Sequence, residues 1–226
     1  MSAKAVVYIV KKNFTVTYNF DDSTLPCVDM FKDLGVCRSN NGGYSSHANY
    51  VASKARRVCG MILNSLVIPD AYTGWRLYQA YVLPIICYAC IAWNPDSRYD
   101  SSAVEKIQRI YTKRLPGLRD YSYEDRLARL GALSVEKMRY IADMTFVFKL
   151  IHNLTPFNTV DFGLRLSANN SRGPRFLHDK LLHTSARHFF RYRVPITWNK
   201  LPQRVRQAAH VSSFRSLLFT SLQNGT

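Results

Sequence analysis

The sequence predicts a mainly α-helical fold with an N-terminal β-hairpin, a helical bundle and an irregular basic C-terminal segment of short strands and helices. Three observations carry that expectation. Apolar residues recur three and four apart from Val51 to Leu150, the period of a helix face. Helix start and stop signals stand at Asp70, Ser122, Gly131 and Ser134. The one clear two-residue alternation, Phe14 to Phe20, lies near the N-terminus. With 226 residues, 47% hydrophobic and 13% aromatic, the chain has the apolar content to bury a core, which excludes a wholly disordered protein.

In chain order, Phe14–Phe20 and Leu25–Val36 read as the two strands of a hairpin, with Asp21, Asp22 and Ser23 as the turn. Asn40-Asn41-Gly42-Gly43 breaks the chain. Ser45 or Ser46 can cap a helix to about Leu66, with Val51, Ala55, Val58, Ile62 and Leu66 on one face. Asp70 caps the next helix, which Pro84 should kink and Asn94-Pro95 should end. A third helix is expected from about Ser101 to Leu115, stopped by Pro116-Gly117. Ser122-x-x-Asp125 resembles a capping box, with Gly131 as the stop. The segment from Ser134 to His152 is apolar almost all round after Arg139, which marks a central helix. Asn169–Pro174 reads as a loop, with short strand-like pieces following to Phe190. Pro195 and Pro202 suit the first turns of short helices, and Ser212 or Ser213 opens a last amphipathic one. The divisions expected are therefore 1–40, 41–155 and 156–226.

Charge points to the partner. The net charge is +16, and residues 161–226, with 11 basic and 2 acidic side chains, supply +9 of it. Such an excess suits a polyanion. The longest stretch without a charged or strongly polar side chain, Ala80–Trp93, is 14 residues and contains Pro84, short of the roughly 20 a membrane span needs. The apolar run Ala5–Val10 is shorter than a signal core and ends at Lys11-Lys12. Five scattered cysteines suit reduced thiols. The expected location is the nucleus or cytoplasm, with no secretion and no membrane partner.

Little catalytic chemistry is legible. Cys87-x-x-Cys90 has no second ligand pair at zinc-site spacing and reads as two small core residues. His178, His183 and His188 are five apart, a step of about 140° on a helix, so they share no face. Ser134-x-x-Lys137 opens a helix, where Ser is an N-cap. No glycine-rich phosphate loop occurs. Asp21-Asp22 reads as a solvated turn. No metal and no cofactor-binding residue is expected in this chain.

The clearest candidate site is on the third helix. Val104, Ile107, Tyr111 and Leu115 fall within about 80° of arc, and Lys106, Arg109 and Lys113 within about 60° on the opposite side. Such a stripe can follow a phosphate backbone without reading sequence, although charges opposite a core stripe are also what any solvated face shows. Arg114, Arg187, Arg191 and Arg193 complete the candidate set.

The order of several short motifs resembles the C-terminal part of reverse transcriptases of non-LTR (LINE-type, jockey-like) retrotransposons. The residues are Lys32-Asp-Leu-Gly-Val36 with Tyr44-Ser-x-His47; Tyr81-Val-Leu-Pro-Ile85, Tyr88-Ala89 and Trp93-x-Pro95; Glu105-Lys-Ile-Gln-Arg109 with Thr112-Lys-Arg114; Ser122-Tyr-x-x-Arg126-Leu127; and Trp198-Asn199-x-Leu201-Pro202 near the end. The resemblance covers roughly residues 28 to 218. It implies a thumb and post-thumb fragment that grips template RNA, primer and target DNA, with residues 1–40 as a remnant of the palm edge. The rest of the polymerase would be a further partner. The family's [YF]-x-D-D motif is not matched by Asn19-Phe20-Asp21-Asp22, so the resemblance implies no catalysis by this chain alone. The Mg²⁺ of the complete polymerase is likewise not implied here. Two alternatives stay open: a protein–protein interaction module and a remnant without function.

Overall fold

The computed structural model describes residues 7–8, 19–20, 23–40, 43–95, 97–168, 173–179 and 189–223. Among them, an N-terminal region of short strands is followed by helices. β1 (Val7–Tyr8) pairs in parallel with β4 (Cys27–Val28), and β2 (Asn19–Phe20) pairs antiparallel with β3 (Ser23–Thr24). β5 (Met30–Asp33) and β6 (Val36–Ser39) form an antiparallel hairpin. Of the expected turn, Ser23 stands in β3, while residues 21–22, like 14–18, fall outside the described set. The expected single strand over Leu25–Val36 is corrected: it divides into β4 and β5, and the chain reverses at Leu34-Gly35. Both turn residues have positive φ, 43° and 88°, the pair of values a tight two-residue hairpin turn requires. Gly35 adopts it without a Cβ clash, and Leu34 is left 86% exposed at the tip.

The helices start where their caps are. α1 spans Ser45–Ser65 and α2 Ala71–Leu77, the latter capped by Asp70, which accepts from the Thr73 N–H at 2.8 Å. Pro84 has its effect one turn earlier than a simple kink: Tyr78–Val82 form a π-helical turn, in which the Leu83 N–H reaches back to the Tyr78 carbonyl, before α3 (Leu83–Cys87) resumes. α3 stops at Cys87, not at Asn94-Pro95. Its end is held from outside. The buried Arg139 guanidinium donates to the carbonyls of Ile86 (3.3 Å) and Trp93 (2.7 Å), filling acceptors that a helix end leaves open.

α4 runs Arg98–Lys113, three residues ahead of the expected start, because Ser97 rather than a later serine accepts from the Asp100 N–H at 3.0 Å. α5 (Tyr123–Leu130) and α6 (Val135–Ile151) begin and end as the sequence predicts, with Ser122 and Ser134 as caps and Gly131 in the left-handed region at φ 60°. α7 covers Phe190–Asn199, so Pro195 sits well inside the helix and not in its first turn. The helix begins earlier because the Phe189 carbonyl takes the N–H groups of Tyr192 and Arg193. Pro202 stands directly before α8 (Gln203–Arg206), and α9 spans Val211–Gln223. Residues 169–172 and 180–188, and with them most of the strand-like stretch expected before Phe190, lie outside the described set; among the described residues Leu166 and Phe176 form an antiparallel bridge.

Two apolar clusters organise the interior. The first joins α1 to α4 and includes Ile62, Trp75, Tyr78, Trp93 and Tyr111. The second joins most of α6 to α7, α8 and α9, with Phe148, Trp198 and Phe214 among its fully buried rings. α6 contributes Val135 to the first and Ile141 to Leu150 to the second, as an all-round apolar helix must. Core packing therefore continues across residue 155. Among the described residues, no helix is long and apolar enough to cross a membrane.

His47 makes the first cluster pH-sensitive. Its ring is buried edge-on against Trp93, 4.4 Å between centroids, and Nδ1 accepts from the Cys37 N–H. Burial first, then the nearby Arg139 and Lys32 charges, lower its pKa to about 4. Between an unfolded pKa near 6.5 and that value, the unfolded chain takes a proton that the folded chain refuses. Stability should therefore fall as pH drops through this window, by up to about 3 kcal/mol from this group. In melting curves from pH 7 to 4, His47→Gln should flatten the slope by one proton; an unaltered slope contradicts the assignment.

Candidate nucleic-acid interface

α4 presents the sequence-predicted stripe to solvent. Lys106, Arg109 and Lys113 are exposed, while Val104, Ile107, Tyr111 and Leu115 are buried on the other side. Arg114, just past the helix, is exposed as well. The earlier start of α4 adds Arg98, one turn beyond Ser102 on the same face, so the stripe extends over about 22 Å. Sequence reasoning missed Arg98, although Ser97-x-x-Asp100 repeats the pattern of Ser122-x-x-Asp125 and would have placed the start correctly.

Glu105, the acidic neighbour of the stripe, is turned inward. Its carboxylate accepts from the Tyr123 hydroxyl and from the N–H groups of Val135 and Glu136, both at 3.2 Å. It therefore caps α6 together with Ser134, where the helix dipole favours a negative charge. Burial and the Glu105 charge push the Tyr123 hydroxyl pKa well up. The Arg109 guanidinium lies over the Tyr123 ring at 4.4 Å, which fixes its stem while leaving the residue exposed. Neighbouring α1 carries Lys54, Arg56 and Arg57, all exposed, and no acidic residue, so it adds to the basic excess of the surface.

Alongside α4 runs a cleft of about 1050 Å³, walled by α4 on one side and the first half of α6 on the other, with parts of α5 and α7 at its ends. Arg98, Lys106 and Arg109 stand on the α4 wall, Glu136 and Tyr140 on the α6 wall.

The remaining candidate arginines have other roles. Arg193 is corrected from a nucleic-acid contact to a structural tie. Its guanidinium pairs with Asp143 at 2.9 and 3.0 Å and donates to the Ile91 carbonyl at 3.1 Å, with both side chains nearly buried. Burial raises the Asp143 pKa in spite of this pairing. Arg191 is half exposed but bound to Asp179, which also holds Arg165; these two pairings lower the Asp179 pKa. Arg187 lies outside the described residues. Arg126 is buried and donates to Thr112 Oγ1, Tyr121 O and Arg109 O, so it locks α5 to the stripe helix.

No group of three or more metal-ligating side chains occurs among the described residues. Cys87 and Cys90 are free thiols; burial raises both, Cys87 to about 12, which makes them packing residues rather than nucleophiles. His178 shares a contact with Asn199, and His183 and His188 fall outside the described set.

The fold and site define a mainly helical protein with a basic helix face bordering a cleft. The chain is similar to an uncharacterized protein of Caenorhabditis elegans, 26% identical over 130 residues that make up 56% of this chain and 61% of that relative. This match thus covers about three fifths of the relative's length. No family model matches the sequence, and no solved structure matches it.

Proposed function

We propose that this chain is a nucleic-acid-binding module, the thumb and post-thumb part of a non-LTR retrotransposon polymerase, that grips template and primer by phosphate contacts and has no catalytic centre of its own. The observation that supports the reading best is the α4 face: four basic side chains at helical spacing, with the nearby Glu105 withdrawn to cap α6. A face of this kind contacts phosphates and is indifferent to base sequence.

The test is the variant Lys106→Gln, Arg109→Gln, Lys113→Gln. Binding to duplex DNA and to RNA–DNA heteroduplex should weaken to a similar degree across sequences. The slope of log K against log salt should drop by about 2–3. Folding should hardly change, since exposed substitutions cost under about 0.5 kcal/mol each. A normal salt slope in the folded variant refutes the assignment.

A further inference from the structure

We propose that the cleft between α4 and α6 receives a single-stranded segment of the nucleic acid that α4 tracks, with its phosphates along the α4 wall and its bases against the α6 wall. This rests on the reading of α4 as a phosphate-binding face.

The stripe is not uniform along its length. Arg98, Lys106 and Arg109 line the cleft, whereas Lys113 and Arg114 lie beyond it. A strand running along the stripe from Lys113 therefore reaches an opening at Arg109. At about 1050 Å³ the cleft is at the upper end of small-molecule pockets, about 300–1,000 Å³, and has room for a short run of unpaired nucleotides. A duplex has its bases already paired and offers mainly phosphates to such a face, so it engages the outer stripe alone.

The two walls differ in chemistry, which sets the strand's orientation. On the α4 wall stand three cations. On the α6 wall stand Glu136, exposed at the start of the helix, and the half-buried Tyr140. Of the other carboxylates lining the cleft, Glu105 caps α6 and Asp143 holds Arg193, while Glu124 on α5 stands exposed at one end. Glu136 thus repels phosphates, which sends the backbone to α4. It also accepts hydrogen bonds from exocyclic amino groups of bases, which only unpaired bases present on their pairing edges. Tyr140 supplies a ring for stacking, a contact that is tolerant of sequence.

The experiment compares three fluorescent probes on the full chain at fixed salt: a blunt duplex of mixed sequence, the same duplex with a short single-stranded tail, and the tail strand alone. The tailed duplex should bind about tenfold more tightly than the blunt one, the contribution expected of one stacked base. Ser101→Trp, which fills the cleft from the α4 wall, should abolish that advantage and leave blunt-duplex binding unchanged. Equal binding of tailed and blunt duplex by the unaltered chain overturns the proposal whatever the variant does. A tail advantage that persists in folded Ser101→Trp also overturns it. The triple glutamine variant separates the two readings. If it weakens blunt-duplex binding while the unaltered chain gains nothing from the tail, the stripe stands and the cleft proposal fails. If it weakens neither probe, the stripe fails and the cleft proposal with it.

Discussion

Replacing Arg193 by alanine should destabilise the chain by about 3–5 kcal/mol, the range seen when one partner of a buried ion pair is removed. Arg193 and Asp143 are only 13% and 11% exposed in their side chains, and the guanidinium also fills the Ile91 carbonyl. The variant leaves the Asp143 carboxylate in a site whose burial already raises its pKa. At a few degrees per kcal/mol for a chain of this size, the melting temperature should fall by about 10 °C. The deficit should shrink as pH is lowered, because protonating Asp143 removes the unpaired charge; with its folded pKa raised further, the variant gains stability on the acid side. Asp143→Leu in the same background should cost less than the sum of the two single changes. An unchanged melting temperature together with lost nucleic-acid affinity would return Arg193 to the role of a phosphate contact.

Trp198→Ala should cost a similar amount, about 3–5 kcal/mol, by opening a cavity in the second cluster. The indole is fully buried, 5.8 Å from the Phe214 ring, which in turn lies 4.6 Å from Phe148. Its Nε1 donates to the Pro174 carbonyl at 2.9 Å. One ring thus ties α7 to α9, to α6 and to the loop before Phe176. The urea midpoint should fall and trypsin should cut earlier between residues 160 and 210. A change under about 1 kcal/mol would mean that residues 156–226 are a loosely attached annex, and that the core lies in α1 to α6.

The local signals were legible wherever a cap or a periodic face carries them. Asp70, Ser122, Ser134 and Gly131 act where the sequence places them, since an N-cap side chain or a left-handed glycine depends on its immediate neighbours alone. The α4 stripe was legible for the same reason: helical spacing decides which residues share a face. The start of α4 was legible too, in Ser97-x-x-Asp100, where Ser97 accepts from the Asp100 N–H; what only the tertiary structure adds is the contact of Asp100 to Ser45 on α1, at 2.7 Å.

The roles of the arginines were not legible. Arg109, Arg126, Arg139 and Arg193 are alike in a sequence, yet the structure makes one a solvent-facing cation and the other three buried ties. What separates them is the set of carbonyls and carboxylates that distant segments bring up: Ile86 and Trp93 for Arg139, Asp143 and Ile91 for Arg193. Burying a guanidinium is costly unless acceptors meet it, and those of Arg139 and Arg193 lie about 50 to 100 residues away along the chain, whereas those of Arg126 are nearer. By itself, then, the sequence determined the helices, most of their ends, the basic excess and the exposed face of α4. Tertiary packing alone decided the split of the N-terminal strands, the two clusters that share α6, the cleft beside α4, and which cations remain free to meet a ligand, because each of these depends on partners that no local spacing specifies.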